Sequence, residues 1–245
     1  MDINKRFREA AKNGSEDMIK VLLQDPDCDA SSKDKEGMTA LMWAAYGGHE
    51  ACVGLLLPVS DPLLKAKGGL TALICAAQAE HEACVRLLLP VSDALAQDTR
   101  GRTALMWAAA QSTEACVGLL LPVSDAWAKN EKGITALMWA AHCGQDASVR
   151  FLLPVSDVLA KDSEGWTALI KAASSGHEAC VKILLPVSNA LDKDNEGWTA
   201  GFWARDEGHE NVAQFIDAYV LAQDEQASVG AAVGSKPPRR AALRV

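Results

Sequence analysis

Apolar side chains recur along the chain in a cycle of 32 residues, and one cycle predicts its own elements. Residues 98 to 129 illustrate it. Asp98-Thr99-Arg100-Gly101 has the composition of a tight turn, with glycine where a positive φ is needed. Thr103 suits a helix N-cap. Ala104 to Ala110 is short, alanine-rich and apolar on its inner side, which predicts a first helix. Gln111 to Thr113 breaks it. Sister cycles place Gly48-His49, Gly144-Gln145, Gly176-His177 and Gly208-His209 at that break, and glycine suits the residue just past a helix end. A second helix over Glu114 to Leu121 carries Val117, Leu120 and Leu121 at helical spacing, and Pro122 stops it because proline cannot continue a helix interior. Each cycle is therefore turn, helix, break, helix, loop.

The recurrence is strict. Thr-Ala-Leu begins at Thr39, Thr71, Thr103, Thr135 and Thr167, and Thr-Ala-Gly at Thr199. Glycine stands two places earlier each time, from Gly37 to Gly197, and Pro58, Pro90, Pro122, Pro154 and Pro186 keep the same spacing. One such unit has too little apolar surface to fold alone, and stacking identical units buries a continuous core between neighbours. The chain is expected to divide into a capping unit at 1–33, six units over 34–221 and a flexible tail at 222–245. The first cap matches the cycle through Phe7 to Ala11 and Val21 to Leu23, with a polar first helix. In the last unit Arg205, Asp206 and Glu207 replace apolar residues, and its second helix is expected over Asn211 to about Leu221.

Gly37-Met38-Thr39-Ala40-Leu41-Met42-Trp43-Ala44-Ala45-Tyr46-Gly47-Gly48-His49, followed by Val53-Gly54-Leu55-Leu56-Leu57, resembles the ankyrin repeat. The resemblance covers roughly residues 3 to 220. Alanine stands where the family has proline after threonine, and Met42, Ile74, Met106, Met138, Ile170 and Phe202 stand where it has histidine. Each unit has 32 residues against about 33 in the family. The resemblance implies an all-α solenoid of helix-turn-helix units with short hairpin-like loops. It also implies a protein partner gripped on the concave face formed by the hairpin tips and first helices.

Charge and composition narrow the partner. Lys plus Arg number 24 against 32 Asp plus Glu, a net charge of −8 with no basic stripe along the sequence, which argues against a nucleic-acid partner. The first ten residues lack the apolar core of a secretory signal, and no apolar run approaches the roughly 20 residues of a membrane span. Seven cysteines without a Cys-x-x-Cys spacing fit buried thiols in a reducing compartment. A cytoplasmic, monomeric protein with no cofactor, metal or membrane association is the expectation.

Recurring histidines and cysteines invite a metal reading, which repeat spacing opposes. Units stack about 10 Å apart, whereas zinc needs its ligands about 2 Å away. His49, His81, His177 and His209 are therefore expected to cap and bridge loops. Cys52, Cys84, Cys116 and Cys180 occupy a small packing site, taken by Ser148 and Val212 in the sister units. Asp61, Asp93, Asp125 and Asp157 are expected as turn or cap residues. His142 and Cys143 break register side by side and form the one enzymatic or small-molecule alternative.

Binding residues should be those that vary over a fixed frame. The position after the hairpin glycine holds Met38, Leu70, Arg102, Ile134, Trp166 and Trp198, five of them apolar on a turn expected to be exposed. The first-helix ends vary as well, with Tyr46 and His142 the largest side chains there. These eight residues make the candidate protein-binding set. Trp43, Trp107, Trp139 and Trp203 are read first as core, and Trp127, in a loop, receives no role.

Overall fold

The structure, a computed structural model, describes residues 2–111 and 114–234. Fourteen α-helices and no strands occur among the described residues. The first helices of the units are α1 (Ile3–Lys12), α3 (Ala40–Tyr46), α5 (Ala72–Gln78), α7 (Ala104–Ala110), α9 (Ala136–His142), α11 (Ala168–Ser174) and α13 (Ala200–Asp206). Their outer partners are α2 (Glu16–Leu22), α4 (Glu50–Leu56), α6 (Glu82–Leu88), α8 (Glu114–Leu120), α10 (Asp146–Leu152), α12 (Glu178–Leu184) and α14 (Glu210–Gly234). Seven units result, numbered 1 to 7.

Asp2 caps α1, and every later first helix begins where threonine caps it. Thr39, Thr71, Thr103, Thr135, Thr167 and Thr199 all accept from the N–H three residues on, at 3.3 or 3.4 Å. Each first helix packs on the next one along the array and on its own outer helix. The alanine pairs Ala44/Ala45, Ala76/Ala77, Ala108/Ala109, Ala140/Ala141 and Ala172/Ala173 are fully buried at these contacts. Short side chains there let neighbouring helices approach closely. Leu41, Leu73, Leu105, Leu137 and Leu169, with Leu56, Leu88, Leu120, Leu152 and Leu184, fill one continuous core running the length of the array.

Hairpins join unit to unit through the backbone. The N–H groups of Lys67, Thr99, Glu131, Ser163 and Asn195 donate to the carbonyls of Glu36, Gly68, Arg100, Lys132 and Glu164, at 2.8–3.1 Å. A second ladder is made of lysines. Lys33, Lys65, Lys129 and Lys161 each donate to the carbonyl 32 residues later.

Two expectations are corrected. The prolines do not end the outer helices abruptly; α4, α6, α8, α10 and α12 tighten into 3-10 turns such as Leu57–Val59, with proline early in the turn, where its missing N–H leaves no bond unmade. The last helix does not stop near Leu221. It runs to Gly234, because Leu221 to Gln226 are helix formers and the first proline comes only at Pro237. The rest of the expected tail, 235–245, lies outside the described residues.

Candidate functional site

The hairpins and first helices make up one face of the array, and a repeated polar device holds it in shape. Asp34 Oδ1 accepts from the N–H groups of Glu36 and Met38 at 2.9 Å, while Oδ2 accepts the Trp43 indole N–H at 2.8 Å. Asp194 repeats this with Glu196, Trp198 and Trp203. Burial pushes both carboxyls up, but these donors together outweigh it and hold them below the usual carboxylate range; at Asp34, Arg8 adds to the lowering. In unit 4 Asp98 takes the loop N–H groups of Arg100 and Arg102 and also the Arg102 Nε at 2.8 Å, with the guanidinium 3.9 Å from the centre of the Trp107 ring. In unit 6 a lysine replaces the tryptophan, and Lys171 Nζ meets Asp162 at 2.7 Å. Unit 3 lacks both members, with Ala66 and Cys75 in their places.

Unit 5 breaks the device chemically. Asn130 Oδ1 accepts from Lys132 and Ile134 N–H at 2.9 Å, as an aspartate would. Its other terminal atom is a nitrogen, a donor, so it cannot accept the indole proton. The Trp139 Nε1–H is accordingly shut off from solvent without a partner.

The candidate side chains fall into three groups. Met38 is only 8% exposed and belongs to the core, so the expectation of an exposed apolar row fails at its first member. Leu70, Arg102, Ile134 and Trp166 are half-buried along the face. Trp166 packs on Trp203 at 4.8 Å between ring centres and lies under Lys171 Nζ. Trp198, Tyr46 and His142 are exposed. Trp198 stacks on Phe202 at 3.9 Å and Tyr46 stands edge-on to Trp43 at 6.4 Å. The tryptophans read as core, Trp43, Trp107, Trp139 and Trp203, are half-buried and pack against the core from this face.

The histidines bridge loops. Nε2 of His49, His81 and His177 lies 3.0–3.1 Å from the carbonyls of Lys12, Tyr46 and His142 in the preceding unit. Each ring covers a glycine of that unit, and a Cβ on Gly14, Gly48, Gly144 or Gly176 would come within 2.5 Å of it. The sequence respects this contact. Glu80 and Ser112 stand where units 2, 5, 6 and 7 have glycine; Glu80 adopts a left-handed φ of 64°, and Thr113 and Gln145 take the place of histidine one unit after them.

His142 Nδ1 bonds the Ser175 hydroxyl at 3.0 Å. Its pKa is lowered by burial and then by Lys171 and His177. Burial raises the Cys143 thiol, the reverse of the depression that activates a cysteine nucleophile. No group of three or more His, Cys, Asp or Glu side chains able to hold a metal occurs among the described residues. No helix among them is long and apolar enough to cross a membrane.

One surface feature escaped the sequence reading. Val59, Val91, Val123, Val155 and Val187, with Leu63, Leu95, Trp127, Leu159 and Leu191, are 44–60% exposed and fall in register on the loops behind the outer helices. The signal was present in the repeated Pro-Val-Ser-Asp-x-Leu run, and Trp127 is simply its bulkiest member.

No curated protein matches the chain. The family described as ankyrin repeats matches in three copies, over residues 7–97, 84–162 and 155–224. Together with the capped helix pairs, the stacked units and the backbone-linked hairpins, that match places the chain in the ankyrin repeat family.

Proposed function

We propose that this protein binds a partner protein on the face made by its hairpins and first helices, and that it acts as a scaffold or adaptor rather than an enzyme. Ankyrin repeats are generally protein-interaction modules. The observation that carries the reading is the contrast between a constant frame and varied side chains on this one face. Every threonine cap and every hairpin-to-hairpin bond recurs, while Leu70, Arg102, Ile134, Trp166 and Trp198 follow one another at one position. Tyr46 and His142 extend the set at the helix ends. Aromatic anchors beside varied polar groups are what interface hot spots use.

All seven cysteines are free, which supports a reducing compartment, and we take the protein to be cytoplasmic and monomeric. The net charge of −8 supports a protein rather than a nucleic acid as partner.

The test is affinity capture from lysate, comparing the wild type with a Tyr46→Ala/Trp198→Ser variant. Both side chains are exposed, so the variant should melt within about 2–4 °C of wild type. A protein captured by the wild type and lost from the folded variant supports the site. Capture unchanged in the variant moves the binding surface elsewhere.

A further inference from the structure

The inner face carries a charge pattern opposite to that of the whole chain. Three concavities open on it among units 1 to 5. The first, about 450 Å³, lies between α1 and the hairpin of unit 2 and holds Lys5, Arg8, Lys12, Lys33 and Lys35 against Glu9 and Asp34, with Trp43 as a wall. The second and third, about 410 and 450 Å³, share Arg100 and Arg102; Lys132 and Glu131 line the third. Eight cations thus line these basins against three carboxylates, in a protein of net charge −8. Asp98 beneath Arg102 neutralises one of them, and the Lys5–Glu9 contact at 3.9 Å is loose and exposed. Lys12, Lys35, Arg100 and Lys132 stay exposed, Lys12 with its Nζ 4.4 Å from the centre of the Trp43 ring. Beyond unit 5 the pattern reverses, because the hairpin tips there carry Glu164 and Glu196 and the lining becomes aromatic.

We infer that the partner presents an acidic peptide segment whose carboxylates lie across units 1 to 5 and end before Trp166. The inference rests on the protein-binding reading above and adds the partner's chemistry. Apolar walls accompany the cations, Trp43 in the first basin, Trp107 and Leu70 in the second, Ile134 and Trp139 in the third. Such walls fit the methylene stems of glutamate, with the charge reaching the cation beyond. A nucleic-acid backbone fits less well, because Glu36 and Glu131 interrupt the basic surface at two hairpin tips, and phosphate tracking needs a continuous one.

Fluorescence anisotropy with labelled decaglutamate, added to the full chain, tests this. Saturable binding is expected, weakening roughly tenfold between low and physiological salt. Two charge-reversal variants, Arg100→Glu/Lys132→Glu and Lys12→Glu/Lys35→Glu, should each bind at least about tenfold more weakly while keeping the wild-type circular dichroism. Using two variants at separate basins guards against one that fails to fold. Absence of saturable binding at low salt overturns the inference, as do folded variants that bind like the wild type. Oligothymidylate binding as tightly as decaglutamate also overturns it, assigning the basins to phosphate. If decaglutamate fails while captured protein is still lost on Tyr46→Ala/Trp198→Ser, the acidic assignment falls and the protein-binding reading stands.

Discussion

Each aspartate that opens a hairpin serves two loop amides with one oxygen and a first-helix donor with the other, and Asn130 can supply only the first half of that service. A buried donor without an acceptor costs about 1–3 kcal/mol. Asn130→Asp should therefore stabilise the protein by about 1 kcal/mol, raising the melting temperature by roughly 2–4 °C. The converse change, Asp194→Asn, should lower stability by a similar amount. A neutral or harmful Asn130→Asp would show that the Trp139 indole is not the strained donor. The same carboxylates set an acid limit. Asp34 and Asp194 have folded pKa values below the ordinary one, so their stabilisation is complete above an unfolded value of about 3.9 and is lost as pH falls through the depressed folded value. Acid unfolding followed by circular dichroism should show the carboxylate contribution intact down to about 5 and lost below about 4, beneath a separate loss that begins below about 6.5 because the folded His142 pKa is lowered. The decline should be shallower in Asp194→Asn. Thiols allow a second check at this scale. Burial raises Cys75 to about 12 and Cys84 and Cys180 to about 11, and it raises the half-buried Cys28 and Cys143 as well. Iodoacetamide at neutral pH should label Cys28 and Cys143 first, both more slowly than free cysteine, and Cys75 last. Fast selective labelling of Cys143 would revive the reading of His142 and Cys143 as a reactive pair.

Between neighbouring elements one recurring clasp is a histidine ring laid over a glycine. A Cβ at Gly48 would sit 2.5 Å from the His81 ring, which explains why Glu80 is followed by threonine rather than histidine one unit later. Thr113→His alone should bring no gain, because the Glu80 Cβ occupies the space that the ring needs. Glu80→Gly alone should gain up to about 1 kcal/mol by relieving a left-handed non-glycine residue. The double variant should exceed the sum of the two in a double-mutant cycle read by urea unfolding, and simple additivity would show that the clasp is not a unit. These elements also show how far sequence carries. Helix positions, threonine caps and hairpin glycines could be read directly, because each depends on residues within a few places of one another. Burial of Met38 and the lengthening of α14 could not. The first depends on packing within the array, and the second on propensity acting after the repeat pattern has ended. Trp166 and Trp198 occupy the same repeat position yet differ, since Trp166 leans on Trp203 and Trp198 lies outward on Phe202. Trp166→Ser should cost about 2 kcal/mol and Trp198→Ser under about 1 kcal/mol, so only Trp198 serves as a clean binding probe.

Across the whole array, stability is close to a sum over units and the interfaces between them. Those interfaces are not equal. Units 3 and 4 meet where the histidine clasp is missing, since Glu80 and Thr113 replace the glycine and histidine, and the unit 3 hairpin beside it lacks the carboxylate and indole, with Ala66 and Cys75 in their places. Among the described residues, the polar contacts carried across that junction include Thr99 N–H to Gly68 at 2.8 Å, Lys65 Nζ to the Gln97 carbonyl at 3.0 Å and Gln111 Nε2 to Gln78 at 3.3 Å. A quasi-linear protein opens first at its weakest interface. Native-state hydrogen exchange should find amides of α5 to α8 opening at a lower free energy than those of α9 to α12, where the His177 clasp is intact. Uniform protection along the array would mean that the apolar core alone sets cooperativity. The second basin straddles this junction, lined by Leu70 and Gln78 of unit 3 and by Arg100 and Trp107 of unit 4, so a ligand held there must keep the junction closed. Decaglutamate bound across it should raise protection in α5 to α8 more than in α11 and α12. A peptide confined to the basin of units 1 and 2 would leave that contrast unchanged, which makes exchange a measure of how far along the face the acidic segment extends.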